Sequence, residues 1–137
     1  MQIRSYQAAD RAQLIQLWHD CKLVVAGAND PEFDIDFCLQ SADSDILVGV
    51  EGSRVISSVL VGHEGHRGWM YYVAVDPKAQ RTGLGRAMVE AAEAWLKARG
   101  APKAQLMIRD TNTQVEAFYA RLGYKTIPRI VMQKVLP

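Results

Sequence analysis

The chain has 137 residues, of which 49% are hydrophobic and 23% are charged, and its formal net charge is +1. These values are typical of one globular domain, and the even spread of 16 basic and 15 acidic residues disfavours a nucleic-acid partner. No apolar run approaches the ~20 residues of a membrane span. Cys21 and Cys38 lack the spacing of a disulfide framework or a zinc site. We therefore expect a single cytoplasmic domain over residues 1–137, with no membrane association.

The first half of the chain predicts two helices and three strands. From Asp10 to Val25 the apolar residues recur every three or four positions, which is typical of one face of a helix. An acidic loop from Asp30 to Asp36 leads into a second, shorter helix, and Gly52-Ser53 joins two apolar runs as in a β-hairpin. In chain order we expect a strand at 3–6, a helix from 10, a helix at 34–40, and strands at 46–51 and 55–62.

The second half predicts four further strands and two helices. A strand at 69–75 ends at Asp76-Pro77, and Gly100 follows a helix at 85–99 as a C-terminal cap. Thr113 and Glu116 have the spacing of a capping box, which predicts a helix from Thr113 to Leu122. The other strands are expected at 104–109, 124–127 and 130–136. This order predicts an α/β fold around one mixed sheet.

A glycine-containing loop connects the strand at 69–75 to the next helix. Its residues are Gln80, Arg81, Thr82, Gly83, Leu84, Gly85 and Arg86. Glycines let the backbone approach an anion closely, and the unpaired N–H groups at a helix start attract negative charge. The two arginines add full positive charges. The pattern indicates a phosphate-binding loop, with a plain strand-to-helix turn as the alternative. It matches neither the Walker nor the dinucleotide-binding pattern, because Arg86-Ala87 and Met88 occupy the deciding positions.

Several motifs together resemble one family. Gln80-x-x-Gly83-x-Gly85, which follows a Val-Ala-Val-Asp-Pro strand end, resembles the acetyl-CoA signature of the GNAT superfamily of N-acetyltransferases. Asn112 with residues 118–124 is similar to the second cofactor motif of that family, and residues 131–134 resemble its last strand. Gly65-His66-Arg67-Gly68 and Tyr71-Tyr72 are similar to the YpeA-like bacterial branch. The resemblance implies a mixed sheet flanked by helices on both faces.

The resemblance also implies acetyl-CoA as cofactor and a set of residues that bind it. The pantetheine arm would bond to the backbone of Val73, Ala74 and Val75, as an added strand does. The pyrophosphate would lie on the loop from Gln80 to Arg86, and Asn112 would bond the arm from the opposite side. The alternative role of Asn112 is the N-cap of the helix that follows.

Tyr119 is the candidate catalytic residue. A departing thiolate must take up a proton, and a tyrosine hydroxyl within reach can donate it. The alternative is an ordinary core aromatic, since Tyr119 shares a predicted helix face with apolar residues. A backbone N–H near Val73 is the candidate oxyanion donor. Many relatives place a glutamate on the strand equivalent to residues 71–75, and this sequence has none there, so the general base stays open among His63, Glu64 and His66.

The acceptor is expected to be a primary amine that carries a positive charge. Carboxylates in the acidic loop would attract an ammonium group, or else simply form a solvated loop. The candidate substrate-binding residues are Asp30, Asp34, Glu64, His66 and Tyr72. No metal site is expected, because His63-Glu64-Gly65-His66 lacks the zinc-protease spacing. The resemblance also allows a homodimer. Two other functions stay open: a non-catalytic acyl-CoA sensor of the same fold, and a nucleotide-binding module.

Overall fold

The computed structural model describes residues 1–137, which divide into two compact units, residues 1–107 and 108–137. The first unit holds all the strands and three of the helices. In chain order its elements are β1 (Gln2–Ser5), α1 (Arg11–Asp20), α2 (Pro31–Leu39), β2 (Ser44–Glu51), β3 (Arg54–His63), β4 (Gly68–Val75), α3 (Leu84–Ala98) and β5 (Ala104–Gln105). The second unit contains α4 (Thr113–Arg121). None of these helices combines the length and apolarity that a membrane crossing requires.

The five strands form one mixed sheet in the order β1-β2-β3-β4-β5. The first four strands pair antiparallel, and β5 pairs parallel to β4. A parallel pair needs a crossover connection, and α3 supplies it. The predicted α/β fold with one mixed sheet is confirmed.

Helices cover both faces of this sheet. On one face, α1 and α2 pack on alternate residues of the strands, and the buried cluster there includes Trp18, Ile35 and Val48. The other face is covered by α3, and the two meet so closely that a Cβ atom at Gly68 would lie 2.5 Å from Cδ1 of Leu96.

The predicted strand at 104–109 is much shorter in the structure. It contains only Ala104 and Gln105, which pair with Gly68 and Trp69. Beyond this point β4 and β5 form no further pairs, so the later residues of the run have no ladder to join. The apolar, β-branched pattern of a sequence cannot reveal where two strands diverge.

The second unit also departs from the sequence prediction. Asn112 occupies the N-cap position of α4 in place of Thr113, and the carboxylate of Glu116 accepts a hydrogen bond from Thr126 Oγ1 (3.2 Å), so the capping box is not formed. No strand is present in residues 124–137. The predicted strands at 124–127 and 130–136 are therefore wrong. Ile130 and Met132 are 92% and 90% exposed, and an alternating apolar pattern makes a strand only where a partner edge pairs with it.

Candidate active site

The loop after β4 is shaped by its own hydrogen bonds. Gln80 Nε2 donates to the carbonyl of Val75 (3.2 Å), and Thr82 Oγ1 donates to the carbonyl of Ala79 (2.6 Å). Gly83 has φ +81°, a left-handed conformation that glycine adopts without steric cost. These features fold the chain back so that the loop opens directly onto α3.

The start of α3 presents unpaired amides. Its first hydrogen bond runs from the N–H of Ala87 to the carbonyl of Gly83 (3.1 Å). The N–H groups of Leu84, Gly85 and Arg86 therefore have no acceptor within the helix. No acidic residue lies in this first turn. Amides, dipole and basic side chains together make the segment a suitable cradle for a phosphate group.

Two arginines lie at the two ends of this segment, and their backbone conformations and side-chain contacts differ. Arg81 has φ +67°, which is uncommon for a residue other than glycine. The guanidinium of Arg86 pairs with Glu90 through Nε (2.7 Å), and both side chains are largely exposed. An exposed pair of this kind is weak, so an anion can compete for the arginine.

One edge of β4 has no strand partner over most of its length. Because β5 pairs only with Gly68 and Trp69, the residues from Met70 to Val75 lack a neighbouring strand on that side. Their outward N–H and C=O groups are arranged to pair with an extended ligand, as in β-strand addition. The loop of residues 76–83 connects the end of this edge to the amides at the start of α3.

A β-bulge interrupts the other edge of β4. Leu60 pairs with Tyr71 and Ser58 with Ala74, so that Tyr72 and Val73 together lie opposite a single residue of β3. Tyr72 has φ +52°, a disfavoured value for a residue with a large side chain. Such a bulge takes backbone groups out of the ladder and re-aims them.

The Tyr72 side chain is held from several directions. Its ring stacks on Trp18 with centroids 3.7 Å apart and an interplanar angle of 12°. Its hydroxyl donates to Asp34 Oδ2 (2.6 Å) and accepts from the amide of Asn29. Burial, and then the hydrogen bond to Asp34, raise the pKa of Tyr72 to about 12. The phenol is therefore neutral at physiological pH and acts as a donor to the carboxylate.

The acidic residues of α2 and its N-cap make three different kinds of contact. Arg11 forms ion pairs with Glu32 (2.8 Å) and Asp36. Asp30 is the N-cap, where its side chain accepts from the N–H of Glu32 (3.0 Å). Asp34 has no basic partner, and its side chain accepts a hydrogen bond from the Tyr72 hydroxyl. Of the two substrate-binding candidates in the acidic segment 30–36, Asp34 thus lies beside the bulge, while Asp30 caps the start of the helix.

Glu64 and His66 lie elsewhere, in the turn between β3 and β4. Glu64 Oε1 accepts from the N–H groups of Arg67 (2.6 Å) and His66 (3.1 Å). The first of these bonds is the main reason why the pKa of Glu64 is lowered, and a lowered pKa makes the carboxylate a weaker base. This turn precedes the first residue of β4, whereas the loop described above follows its last. No hydrogen bond or ion pair joins Glu64 or His66 to Asp34 or Tyr72.

The second unit contains two sequence-predicted residues, Asn112 and Tyr119. Asn112 holds the N-cap position of α4, but its side chain forms no capping hydrogen bond, which leaves the amide group for another partner. Tyr119 is 7% exposed, and its ring makes edge contacts with Phe118 and Tyr124. Burial raises the pKa of Tyr119 to about 12. These contacts suit a core aromatic as well as a catalytic phenol.

We call Tyr72 and the residues that bond or stack with it, Trp18, Asn29, Asp34 and Ser58, the bulge region. The sequence did not identify Trp18, Asn29 or Ser58 as functional residues. The signal for Ser58 was present, since a serine inside an apolar strand needs a hydrogen-bond partner. Trp18 was identified as a residue of an apolar helix face, which says nothing about its indole N–H. No three or more His, Cys, Asp or Glu side chains form a group that could hold a metal ion.

Comparison with known proteins identifies the family. The model of the acetyltransferase (GNAT) family matches residues 11–124. The chain belongs to the GNAT acetyltransferase family. An acetyltransferase of Yersinia enterocolitica is 37% identical over 136 residues, covering 99% of this chain and 96% of the relative. This GNAT chain is accordingly a transferase enzyme, and the family uses acetyl-CoA.

Solved structures share the GNAT fold. The apo aminoglycoside 6'-N-acetyltransferase AAC(6')-IG of Acinetobacter haemolyticus superposes with a TM-score of 0.81 at 15% identity, covering 100% of this chain and 99% of that one. AAC(6')-Iy, in complex with the bisubstrate analogue CoA-S-monomethyl-acetylneamine, gives a TM-score of 0.81 at 14% identity, covering 99% and 98%. At such identities the similarity shows the fold, and substrates have to be argued from this chain's own residues.

Proposed function

We propose that residues 1–137 act as one acetyltransferase domain that moves the acetyl group of acetyl-CoA to a primary amine by direct attack on the thioester. One observation carries this proposal. The unpaired edge of β4 is followed in the chain by the loop of residues 76–83 and then by the amide-rich start of α3. An extended arm that ends in a pyrophosphate needs these two features in this order.

The residues present fit coenzyme A. Backbone groups of Val73, Ala74 and Val75 would hold the pantetheine arm as an added strand. Amides from Arg81 to Arg86 would bind the pyrophosphate, and Gln80 keeps the loop folded against Val75. The Asn112 side chain, which does not cap α4, is available to bond the arm. Acetyl-CoA supplies the activated acetyl group.

Two groups of the chain would stabilise the charges that develop during transfer. The N–H of Val73, in the bulge, would donate to the carbonyl oxygen as it becomes negative. The Tyr119 hydroxyl would act as general acid towards the sulfur. A phenol with a pKa of about 12 is a weaker acid than a free thiol near 8.5. We therefore expect Tyr119 to stabilise the departing sulfur mainly by a hydrogen bond in the transition state, rather than by transferring its proton before the carbon–sulfur bond breaks.

Asp34 would select the acceptor. It is the acidic side chain of α2 that is neither paired with Arg11 nor used as the N-cap, and it bonds the tyrosine of the bulge. A carboxylate in this position attracts a substrate that arrives as an ammonium ion. Tyr72 would hold the carboxylate in place. This supports a cationic amine as acceptor, with Asp34 contributing more than Asp30.

Replacing Asp34 with Asn should raise KM about five-fold for cationic amines and leave KM for acetyl-CoA unchanged. The amide keeps an acceptor for the Tyr72 hydroxyl but removes the charge, so the loss reports electrostatic attraction. The effect should shrink as salt is added. Steady-state kinetics with a diamine and a monoamine measure it.

Asp36→Asn is the matched control, because this aspartate lies on the same helix and pairs with Arg11. Its KM for amines should stay within two-fold of the wild type. Equal KM values for Asp34→Asn and the wild type would contradict the assignment of the acceptor site.

Titration calorimetry with CoA, ATP and NAD, together with thiol release from acetyl-CoA over an amine panel, tests the proposed function. We expect CoA to bind and at least one cationic amine to be acetylated. Failure to bind CoA would overturn the proposal, and binding of ATP or NAD in its place would favour a nucleotide-binding module. Tight CoA binding with no turnover on any amine would favour the non-catalytic sensor.

A further inference from the structure

The backbone at Tyr72 needs an explanation, because a bulky residue adopts a positive φ only where its surroundings hold it there. The side-chain contacts with Trp18, Asn29 and Asp34 hold the ring and the hydroxyl. They do not fix the peptide that joins Tyr72 to Val73. That peptide carries the N–H proposed above as the oxyanion donor.

A hydrogen-bonded chain reaches this peptide from the core. The indole Nε1–H of Trp18 donates to Ser58 Oγ (2.9 Å), and the Ser58 hydroxyl donates to the carbonyl of Tyr72 (2.8 Å). The carbonyl of Tyr72 and the N–H of Val73 belong to the same planar peptide unit, so fixing one orients the other. Trp18 and Ser58 are both fully buried.

We propose that Ser58 and Trp18 are positioning residues that lock the peptide between Tyr72 and Val73, and so aim the Val73 N–H at the reacting carbonyl oxygen. This inference rests on the proposed function. The indole sets the direction of the serine hydroxyl, and the hydroxyl holds the peptide where the bulge interrupts the ladder between β3 and β4. Neither side chain is expected to touch the substrate.

A purely structural role is the competing explanation, and the neighbouring serine separates the two. Ser57 is on the same strand and is also fully buried, but adjacent side chains of a strand point to opposite faces. Its hydroxyl contacts Met1 Sδ at 3.4 Å, away from the bulge. Ser57→Ala therefore removes the same atom from an equally buried position without touching the Tyr72–Val73 peptide.

The kinetic test compares Ser58→Ala with Ser57→Ala, assayed well below the unfolding temperature of each variant. Ser58→Ala should lower kcat about ten-fold and leave KM for acetyl-CoA and the affinity for CoA within two-fold. Ser57→Ala should leave kcat within two-fold of the wild type. Equal kcat values for the two variants would overturn the inference.

A readout independent of turnover is the amide ¹H–¹⁵N spectrum of the protein without ligand. Ser58→Ala should shift the Val73 amide resonance, and Ser57→Ala should not. If Ser58→Ala does not fold, Trp18→Phe keeps the stacked ring, removes the indole donor, and should produce the same shift at Val73. An unshifted Val73 resonance would overturn the positioning role, whereas a wild-type protein that fails to bind CoA would overturn only the proposed function.

Discussion

Replacing Tyr119 with Phe should lower kcat about a hundred-fold and leave the affinity for CoA within two-fold. The substitution removes one hydroxyl from a buried ring whose edge contacts with Phe118 and Tyr124 survive. General acid groups increase reaction rates by about this factor. If Tyr119 were only a packing residue of the core, loss of its hydroxyl would leave kcat almost unchanged. Steady-state kinetics and calorimetry of the variant separate turnover from cofactor binding.

The pH dependence supplies an independent check on Tyr119. Burial raises the pKa of Tyr119 to about 12, so the phenol keeps its proton below that pH. Between pH 6 and 10, any fall in the wild-type rate with rising pH should therefore also be seen in the Phe variant. Tyr71→Phe is the control, because this exposed tyrosine of β4 has no proposed role. Wild-type turnover in Tyr119→Phe would mean that another group protonates the sulfur.

Replacing Arg86 with Glu should weaken CoA binding about thirty-fold at low salt. The change reverses a charge at the start of α3, beside the amides proposed to bind the pyrophosphate. It also breaks the pair with Glu90 and places two carboxylates one helical turn apart. Calorimetry across a salt series should show the penalty shrinking as ionic strength rises.

Lys97→Glu is the matched control for this loop. Lys97 is an exposed cation near the other end of the same helix, roughly 16 Å away at 1.5 Å per residue. Its replacement carries the same change in net charge and should leave CoA affinity within two-fold. A similar loss in both variants would indicate a general charge effect. Unchanged affinity in Arg86→Glu would show that the pyrophosphate lies elsewhere.

The segment from β4 to α3 could be predicted from the sequence because its signals are local. The strand and the helix each begin one residue earlier than expected, at Gly68 and Leu84. The strands predicted at 124–127 and 130–136 failed because a strand exists only where a second edge pairs with it, and no local pattern encodes that edge.

The contacts of the bulge region could not be predicted from the sequence, for a different reason. Tyr72 was identified as a substrate-binding candidate, but its contacts come from α1, the loop before α2, α2 itself and β3. Residues 18, 29, 34, 58 and 72 are far apart in the chain, and only the folded structure shows that they share hydrogen bonds. The single local sign was a serine inside an apolar strand.

The side chains of α2 fall into sets with different roles. Ile35 and Cys38 are buried and attach the helix to the sheet. Arg11 neutralises a second set at the surface, through Glu32 and Asp36. Asp34 takes part in neither task, and its carboxylate instead accepts the hydrogen bond from the Tyr72 hydroxyl. Under the proposed function, a substitution at this one position therefore changes the preference for the acceptor, while the binding of the acyl donor stays as it is.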